Sequence, residues 1–307
     1  MKLNGFETQA KQALKQCLAD IPFLEISEAV ATRRAGPDLV LRIELPQGQR
    51  TIIAECKDSG QPRWIREAVN QILRYKESFP DAYPAVIAPY ISPAAAEICR
   101  REGVGYADLA GNCWLAFDQV YIRKEGQPNP FSERRELRSL YSPKASRILR
   151  VLLLNPKRTW RMQELAQEAD VSLGLVAKVK KSLIDREWIR DTDEGVYIVQ
   201  PEDILSQWSA QYDPKKNKIS SLYSLLDRSE TEEKLAALSR RKRTQFALTG
   251  FSGAARVAPF VRYGIVSVYV AGDLDALAAE LDLKRVPTGA NLELIIPYDE
   301  GVFYQIK

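Results

Sequence analysis

The sequence predicts a multidomain α/β protein, and three features of the chain support this prediction. With 307 residues, the chain is too long for one ordinary hydrophobic core. Strand-like and helix-like segments alternate in its first 130 residues and again after residue 212, as in sheets covered by helices. Between these regions, the pattern changes to consecutive amphipathic helices. We therefore predict domains at residues 1–130, 133–212 and 213–307.

The first predicted domain is a mixed α/β core. It begins with an amphipathic helix over residues 6–21, whose apolar side chains share one stripe. The strands DLVLRIEL and TIIAECK then form a hairpin about the turn PQGQ. A helix from about Arg63 to Ser78, the strand AVIAPY and a helix over SPAAAEICRREG follow. The segments GYADLAG, CWLAF and VYIRK add strands that complete the sheet.

The second predicted domain is a winged helix-turn-helix, preceded by the polar linker GQPNPFSERRELRS. Its helices are ASRILRVLLLN, RMQELAQEA and DVSLGLVAKVKKSLIDREW, and IRDTDEGVYIV forms two strands. From Glu133 to Lys181, twelve Lys or Arg residues stand against five Asp or Glu residues. This excess of positive charge favours a polyanion such as DNA.

The outer face of the third helix and the start of the wing supply the predicted DNA-binding residues. Small residues allow close approach to a groove, and lysines reach phosphates. The predicted set is Ser172, Gly174, Leu175, Lys178, Lys181 and Arg190. A winged helix that contacts proteins is the alternative, since the same fold also mediates such interactions.

Composition restricts the chemistry and the location of the protein. The chain contains no histidine, which excludes histidine bases, triads and metal ligands, so hard cations with oxygen ligands are the plausible metals. The four cysteines form no Cys-x-x-Cys pair and are expected to be reduced. No apolar run approaches the length of a membrane span, and the N-terminus lacks signal-peptide features. We therefore expect a cytoplasmic protein without membrane contact.

An acid and a base share one face where the strand TIIAECK ends. Glu55 and Lys57 are two positions apart, and alternate side chains of a strand point to the same side. The hairpin can bring Asp38 close to Glu55. Carboxylates held so close raise each other's pKa unless a cation lies between them. A divalent metal would remove this conflict and polarise a phosphate, while Gln71 and Tyr75 share one face of the next helix.

These residues resemble the motifs of the PD-(D/E)XK nuclease superfamily, in the branch with a Gln-x-x-x-Tyr motif. The matching segments are Pro37-Asp38, Glu55-Cys56-Lys57 and Gln71-x-x-x-Tyr75, and the resemblance covers about residues 1–125. It implies a restriction-endonuclease-like core and hydrolysis of DNA phosphodiesters with Mg²⁺ or Mn²⁺.

The same resemblance implies a role for each residue. Asp38, Glu55 and the carbonyl of Cys56 would bind the metal, and Lys57 would be the catalytic lysine. Gln71 and Tyr75 would support the site. Taken alone, a Glu-x-Lys sequence at a strand edge is usually a solvated pair, so a non-catalytic scaffold is the alternative.

The third predicted domain is a small α/β domain. SSLYSLLDR and TEEKLAAL are predicted as helices, and FALTGFSGAARVAPF as a strand, a turn and a helix. Together with the winged helix, this region resembles AbiEi-type antitoxins, the regulator half of type IV toxin–antitoxin systems, over about residues 140–307. The resemblance implies transcriptional autoregulation through DNA binding and allows a toxin partner. The sequence also leaves open whether the chain forms a homodimer.

Two functions are therefore predicted. The first is a metal-dependent DNA endonuclease that the winged helix guides to its substrate. The alternative is a non-catalytic DNA-binding transcriptional regulator of the AbiEi type, in which the nuclease-like domain is a scaffold.

Overall fold

The computed structural model describes residues 3–31, 36–131, 140–242, 245–260 and 262–305. Most of the predicted linker, residues 132–139, lies outside these ranges. The described residues form two compact units. The first lies within Met1–Leu140, Pro156–Met162 and Gly174–Ile204, and the second within Tyr141–Asn155, Gln163–Leu173 and Leu205–Lys307. The predicted α/β multidomain class is confirmed, while the three domain boundaries stay predictions.

A seven-stranded mixed sheet is the centre of the first unit. Its strands, in both spatial and chain order, are β1 (Glu25–Ala31), β2 (Leu39–Leu45), β3 (Gly48–Cys56), β4 (Tyr83–Ala88), β5 (Gly105–Asp108), β6 (Cys113–Phe117) and β7 (Val120–Lys124). The pairs are parallel from β3 to β5 and antiparallel at both sides. The helices α1 (Leu3–Leu18), α2 (Pro62–Lys76) and α3 (Pro93–Arg101) accompany the sheet.

Both faces of this sheet are buried at its centre, because consecutive residues of β4, β5 and the end of β3 are buried and point to opposite faces. Ile52 of β3 belongs to the apolar cluster that contains Leu14 and Leu18 of α1. Ile53 lies in the cluster on the other face, together with Ile65 of α2. The two-residue period of a strand therefore directs the odd-numbered residues at the end of β3 towards α2.

Three helices and a hairpin occur in the middle segment at the predicted positions. They are α4 (Pro143–Leu154), α5 (Met162–Glu168), α6 (Leu173–Asp185), β8 (Ile189–Thr192) and β9 (Gly195–Ile198). Asp170, between α5 and α6, has a φ of 49°, the left-handed conformation of a sharp turn. Gly195 pairs with Thr192 and has a φ of 137°. A Cβ at this position would lie 2.4 Å from the carbonyl oxygen of Trp160, so glycine is required there.

The second unit contains a five-stranded sheet with the order β11-β12-β14-β10-β13. These strands are β10 (Lys218–Tyr223), β11 (Phe246–Thr249), β12 (Val266–Val270), β13 (Lys284–Arg285) and β14 (Leu292–Ile296). The remaining helices are α7 (Pro201–Gln211), α8 (Arg228–Lys242), α9 (Gly250–Val257) and α10 (Leu274–Glu280), with 3-10 turns at Pro214–Lys216 and Glu300–Phe303.

One predicted element of this unit is wrong. SSLYSLLDR was expected to be a helix, but most of its first half belongs to β10. This strand pairs along five residues with β14, and Leu222 is 1% exposed between β14 and β13. Tertiary pairing therefore overrides a local pattern that fits both helix and strand. No helix among the described residues has the length and apolar character of a membrane span.

Candidate metal-dependent active site

The β2–β3 hairpin sets the two predicted metal-binding acids side by side. Leu39 pairs with Ala54, so the antiparallel register continued by one residue places Asp38 opposite Glu55. The backbone N–H of Cys56 donates to Asp38 Oδ2 at 2.8 Å. This hydrogen bond fixes the half-buried Asp38 carboxylate at the mouth of the hairpin.

Glu55 is a buried acid whose charge is poorly compensated. The residue is 3% exposed, and its Oε2 atom is buried without a hydrogen-bond partner among the described residues. Burial, followed by the charge of Asp38, raises the pKa of Glu55 to about 7, although Lys57 acts in the opposite direction. An orphaned carboxylate oxygen of this kind needs a cation or a proton.

Lys57 is the centre of a polar network. Its Nζ atom lies 3.4 Å from Glu55 Oε1 and 3.3 Å from Glu67 Oε1. It also donates to Gln71 Oε1 at 3.2 Å, and Gln71 Nε2 donates to Tyr75 Oη at 3.2 Å. The structure therefore brings Glu55, Lys57, Gln71 and Tyr75 into one chain of contacts, with Asp38 beside it.

Glu67 also belongs to this network, although it was not among the predicted site residues. It lies on α2, four residues before Gln71 and eight before Tyr75. Residues at this spacing share one helix face, so the same rule that joined Gln71 and Tyr75 could have included Glu67. Its carboxylate is more exposed than that of Glu55 and holds Lys57 from the solvent side.

The donor set fits a hard divalent cation. Two adjacent carboxylates, one with an orphaned oxygen, are typical of Mg²⁺ sites, in which water completes the coordination. The described part of the chain contains no cluster of three or more His, Cys, Asp and Glu side chains suited to a metal. Burial raises the pKa of the Cys56 thiol, which packs in the apolar cluster on the other face of the sheet. Cys56 could therefore bind a metal only through its main-chain carbonyl and not through its thiol. This role stays a prediction.

The predicted DNA-binding residues are mostly exposed. Ser172, Gly174, Lys178, Lys181 and Arg190 are exposed, and Leu175 is half-buried. The buried stripe of α6 consists of Val176, Val179 and Leu183. Their contact with DNA stays a prediction.

An ion pair that was not predicted from the sequence joins α6 to the hairpin. Lys180 Nζ lies 2.6 Å from Asp191 Oδ2. This contact joins β8, which carries the predicted DNA-binding residue Arg190, to the helix that carries Lys178 and Lys181.

A comparison with protein families finds a match in the C-terminal part of the chain. Residues 197–307 match the family AbiEi_2, described as transcriptional regulator, AbiEi antitoxin, type IV TA system. The predicted resemblance to this family is confirmed for these residues, which are fewer than the 140–307 expected. No curated protein matches the chain.

Solved structures show only a weak similarity. The structure of EndoMS in apo form matches with 12% identity and a TM-score of 0.24, over 32% of this chain and 45% of that chain. A repair endonuclease from Pyrococcus abyssi matches with 15% identity and a TM-score of 0.23, over 32% and 46%. An EndoMS–dsDNA2 complex matches with 13% identity and a TM-score of 0.24, over 33% and 44%. The chain thus spans less than half the length of these structures.

Proposed function

We propose that the chain is a DNA-binding protein whose N-terminal α/β region hydrolyses DNA phosphodiesters with Mg²⁺ or Mn²⁺. The observation that carries this proposal is the buried Oε2 atom of Glu55, which has no partner among the described residues and belongs to a carboxylate beside Asp38. A structural ion pair would satisfy such an oxygen. A cation-binding pair of carboxylates leaves it free for the metal.

Asp38 and Glu55 would hold the metal. A divalent cation supplies Lewis-acid activation of the phosphodiester and favours ionisation of water at neutral pH. Occupancy would keep Glu55 ionised in spite of its burial, because a positive charge lowers a neighbouring carboxyl pKa.

Lys57 would stabilise negative charge that develops on the phosphate. Its ammonium group is already held beside Glu55 by Gln71 and Glu67, so little reorganisation is needed during the reaction. Tyr75 would act as a positioning residue, since it contacts the amide of Gln71 rather than Lys57.

DNA would be bound through the predicted winged helix, whose third helix α6 and β8–β9 hairpin lie in the first unit. Lys178 and Lys181 are exposed on α6, and Arg190 is exposed on β8. These cations suit phosphate contacts, which give affinity without base specificity.

Plasmid cleavage tests the nuclease proposal. Supercoiled DNA is incubated with the full chain and Mg²⁺ or Mn²⁺, and the nicked and linear products are quantified. Asp38→Asn, Glu55→Gln and Lys57→Ala should each reduce the rate by about 100-fold or more, as expected when charge stabilisation at the reacting phosphate is lost. Asp58→Asn is the matched control, because this neighbouring carboxylate is exposed. Equal rates for the wild type and the three site variants would refute the proposal.

The family match at residues 197–307 favours a second candidate function, a transcriptional regulator that represses its own operon. In this case the seven-stranded sheet is a scaffold, and a toxin is the partner whose synthesis is controlled. A reporter fused to the operon promoter tests this candidate. Repression that survives Asp38→Asn but is lost with Lys178→Ala and Lys181→Ala together would support it. No repression by the wild type would exclude it.

A further inference from the structure

The second unit contains a cleft of about 490 Å³, and none of its lining residues belongs to the candidate metal site. Helices α4 and α7, two strands of the five-stranded sheet and the segment around Tyr298 provide its walls. Small-molecule sites in proteins have volumes of about 300–1,000 Å³, so the cleft has a suitable size. Its lining combines aromatic rings with two arginines, one carboxylate and several hydroxyl groups.

Arg150 is one of the two arginines that line this cleft. Arg150 forms no ion pair with any carboxylate of the described residues, and burial lowers the pKa of its guanidinium. Its Cζ atom lies 5.6 Å from the ring centre of Trp208, a cation–π contact that leaves the hydrogen-bond donors available.

The neighbouring cation on α4 shows the contrast. Arg147 Nε lies 2.7 Å from Asp299 Oδ1, and Arg147 Nη1 lies 2.7 Å from Asp170 Oδ2. Asp299 also accepts from the backbone N–H of Gly301 at 2.8 Å. The acid that lines the cleft is therefore already occupied, and Arg150 carries the uncompensated charge.

The aromatic walls of the cleft are held in place by contacts of their own. Tyr212 Oη and Tyr269 Oη share a hydrogen bond of 2.8 Å, and Asn217 Nδ2 donates to Tyr212 Oη at 3.2 Å. The Trp208 ring stacks on Tyr141 with 6.4 Å between the ring centres. Rigid aromatic faces of this kind bind planar rings at low entropic cost.

We propose that this cleft binds a nucleoside monophosphate. The phosphate would lie against Arg150, whose planar fork of donors suits phosphate oxygens, and the base would pack on Trp208 and the tyrosine rings. This site is independent of the proposed nuclease activity, because none of its residues belongs to the Asp38–Glu55 network. A nucleotide bound here would allow the second unit to respond to the nucleotide concentration in the cell.

Isothermal titration calorimetry with the full chain tests this proposal. AMP, GMP, CMP and UMP are titrated in the presence of EDTA, which removes any metal from the Asp38–Glu55 site. Each nucleotide is compared with its nucleoside and with inorganic phosphate. At least one nucleotide should bind about tenfold or more tightly than its nucleoside, because a charged hydrogen bond contributes about that factor.

Variants assign the binding to the cleft. Arg150→Gln should remove the preference for nucleotide over nucleoside, and Trp208→Leu should weaken both ligands. Arg262→Gln, an exposed arginine outside the cleft, is the matched control and should leave binding unchanged. Circular dichroism melting verifies that each variant is folded, and the comparison of nucleotide with nucleoside in the wild type needs no variant.

Three results would overturn the proposal. These are no binding of any of the four nucleotides at millimolar concentration, equal affinities for nucleotide and nucleoside, and nucleotide binding that Arg150→Gln leaves intact. A short single-stranded oligonucleotide is a further arm. If it binds in an Arg150-dependent manner while mononucleotides do not, the cleft takes a nucleic acid end, and the proposal of a free nucleotide is wrong.

Discussion

Arg66 on α2 and Glu187, which follows α6, form an ion pair with two parallel hydrogen bonds. Arg66 Nε and Nη2 each lie 2.9 Å from a different oxygen of the Glu187 carboxylate. Arg63 lies one turn earlier on α2, and its Nη1 atom is 3.7 Å from Asp185 Oδ1. The helix that carries Gln71 is therefore connected, within the first unit, to the C-terminal end of the helix that carries Lys178 and Lys181.

The Arg66–Glu187 pair should contribute a measurable coupling energy. A double-mutant cycle with Arg66→Ala and Glu187→Ala should give about 0.5–1 kcal/mol in urea unfolding, the upper range for exposed pairs, because both hydrogen bonds are well formed. The pair Glu97–Arg101 within α3 is the control, and it should give about 0.3–0.5 kcal/mol as an exposed i,i+4 pair. A coupling of zero would show that the two helices are not connected through this contact.

Gly60 should not tolerate alanine. A Cβ at this position would lie 1.8 Å from the carbonyl oxygen of Tyr90, where Gly60 and Ile91 form an isolated bridge. The clash involves backbone on both sides, so Gly60→Ala should cost about 2 kcal/mol or more in the free energy of unfolding. Gly174→Ala is the control, since its Cβ meets open space in a helix. It should not destabilise the protein, because alanine favours a helix more than glycine does.

The acid Glu55 should make stability fall as pH rises. Its pKa of about 7 in the folded protein exceeds its ordinary value of 4.5, so the folded state binds more protons between these pH values. The free energy of unfolding should therefore decrease across this window by up to about 3 kcal/mol from this group. Glu55→Gln should remove this loss and be more stable than the wild type at pH 8, but not at pH 4.5.

Mg²⁺ should restore the stability that ionised Glu55 removes. At pH 8, the ion should raise the melting temperature of the wild type and leave Glu55→Gln unchanged, because binding to the folded state alone stabilises it. Asp58→Asn, at an exposed carboxylate outside this network, is the control and should keep the pH profile of the wild type. Parallel pH profiles for Glu55→Gln and the wild type would contradict the raised pKa.

Arg147 should be important for the stability of the second unit. The side chains of Arg147 and Asp299 are 12% and 11% exposed, so Arg147→Ala would leave a largely buried carboxylate without its cation. Loss of one partner of such a pair costs about 3–5 kcal/mol. Thermal unfolding of Arg147→Ala and of the exposed control Arg262→Ala measures the difference. Similar melting temperatures for the two variants would show that other groups satisfy Asp299.

The salt dependence of DNA binding should become weaker when Lys178 and Lys181 are removed. If both lysines contact phosphates, the double alanine variant should reduce the slope of log affinity against log salt by about 2, since each contact contributes about 0.9. Lys234→Ala combined with Lys284→Ala, two exposed lysines outside α6, is the matched control. An unchanged slope in fluorescence anisotropy would remove α6 from the DNA-binding surface.

Local rules were sufficient to predict the centre of the candidate site. Strand alternation placed Glu55 and Lys57 on one face, and helical spacing placed Gln71 with Tyr75. Hairpin geometry was enough to expect Asp38 beside them. These predictions depend on residues that are near in sequence or joined by one turn.

Features that depend on distant partners were not predictable in this way. The segment of β10 was interpreted as a helix because its pattern suits either structure, and only β14, far along the chain, decides between them. The contacts of Arg66 with Glu187 and of Arg147 with Asp299 likewise join residues far apart in sequence. No periodicity in the sequence indicates such pairs.

The strand order of the two sheets has a consequence for synthesis on the ribosome. Each strand of the seven-stranded sheet pairs with the next strand in the chain, so this sheet can grow step by step as the polypeptide emerges. In the five-stranded sheet, β10 lies between β13 and β14 and must wait for strands that are made much later. During synthesis, β10 can therefore gain its short pairing with β13 only at about residue 285 and its longer pairing with β14 only at about residue 296.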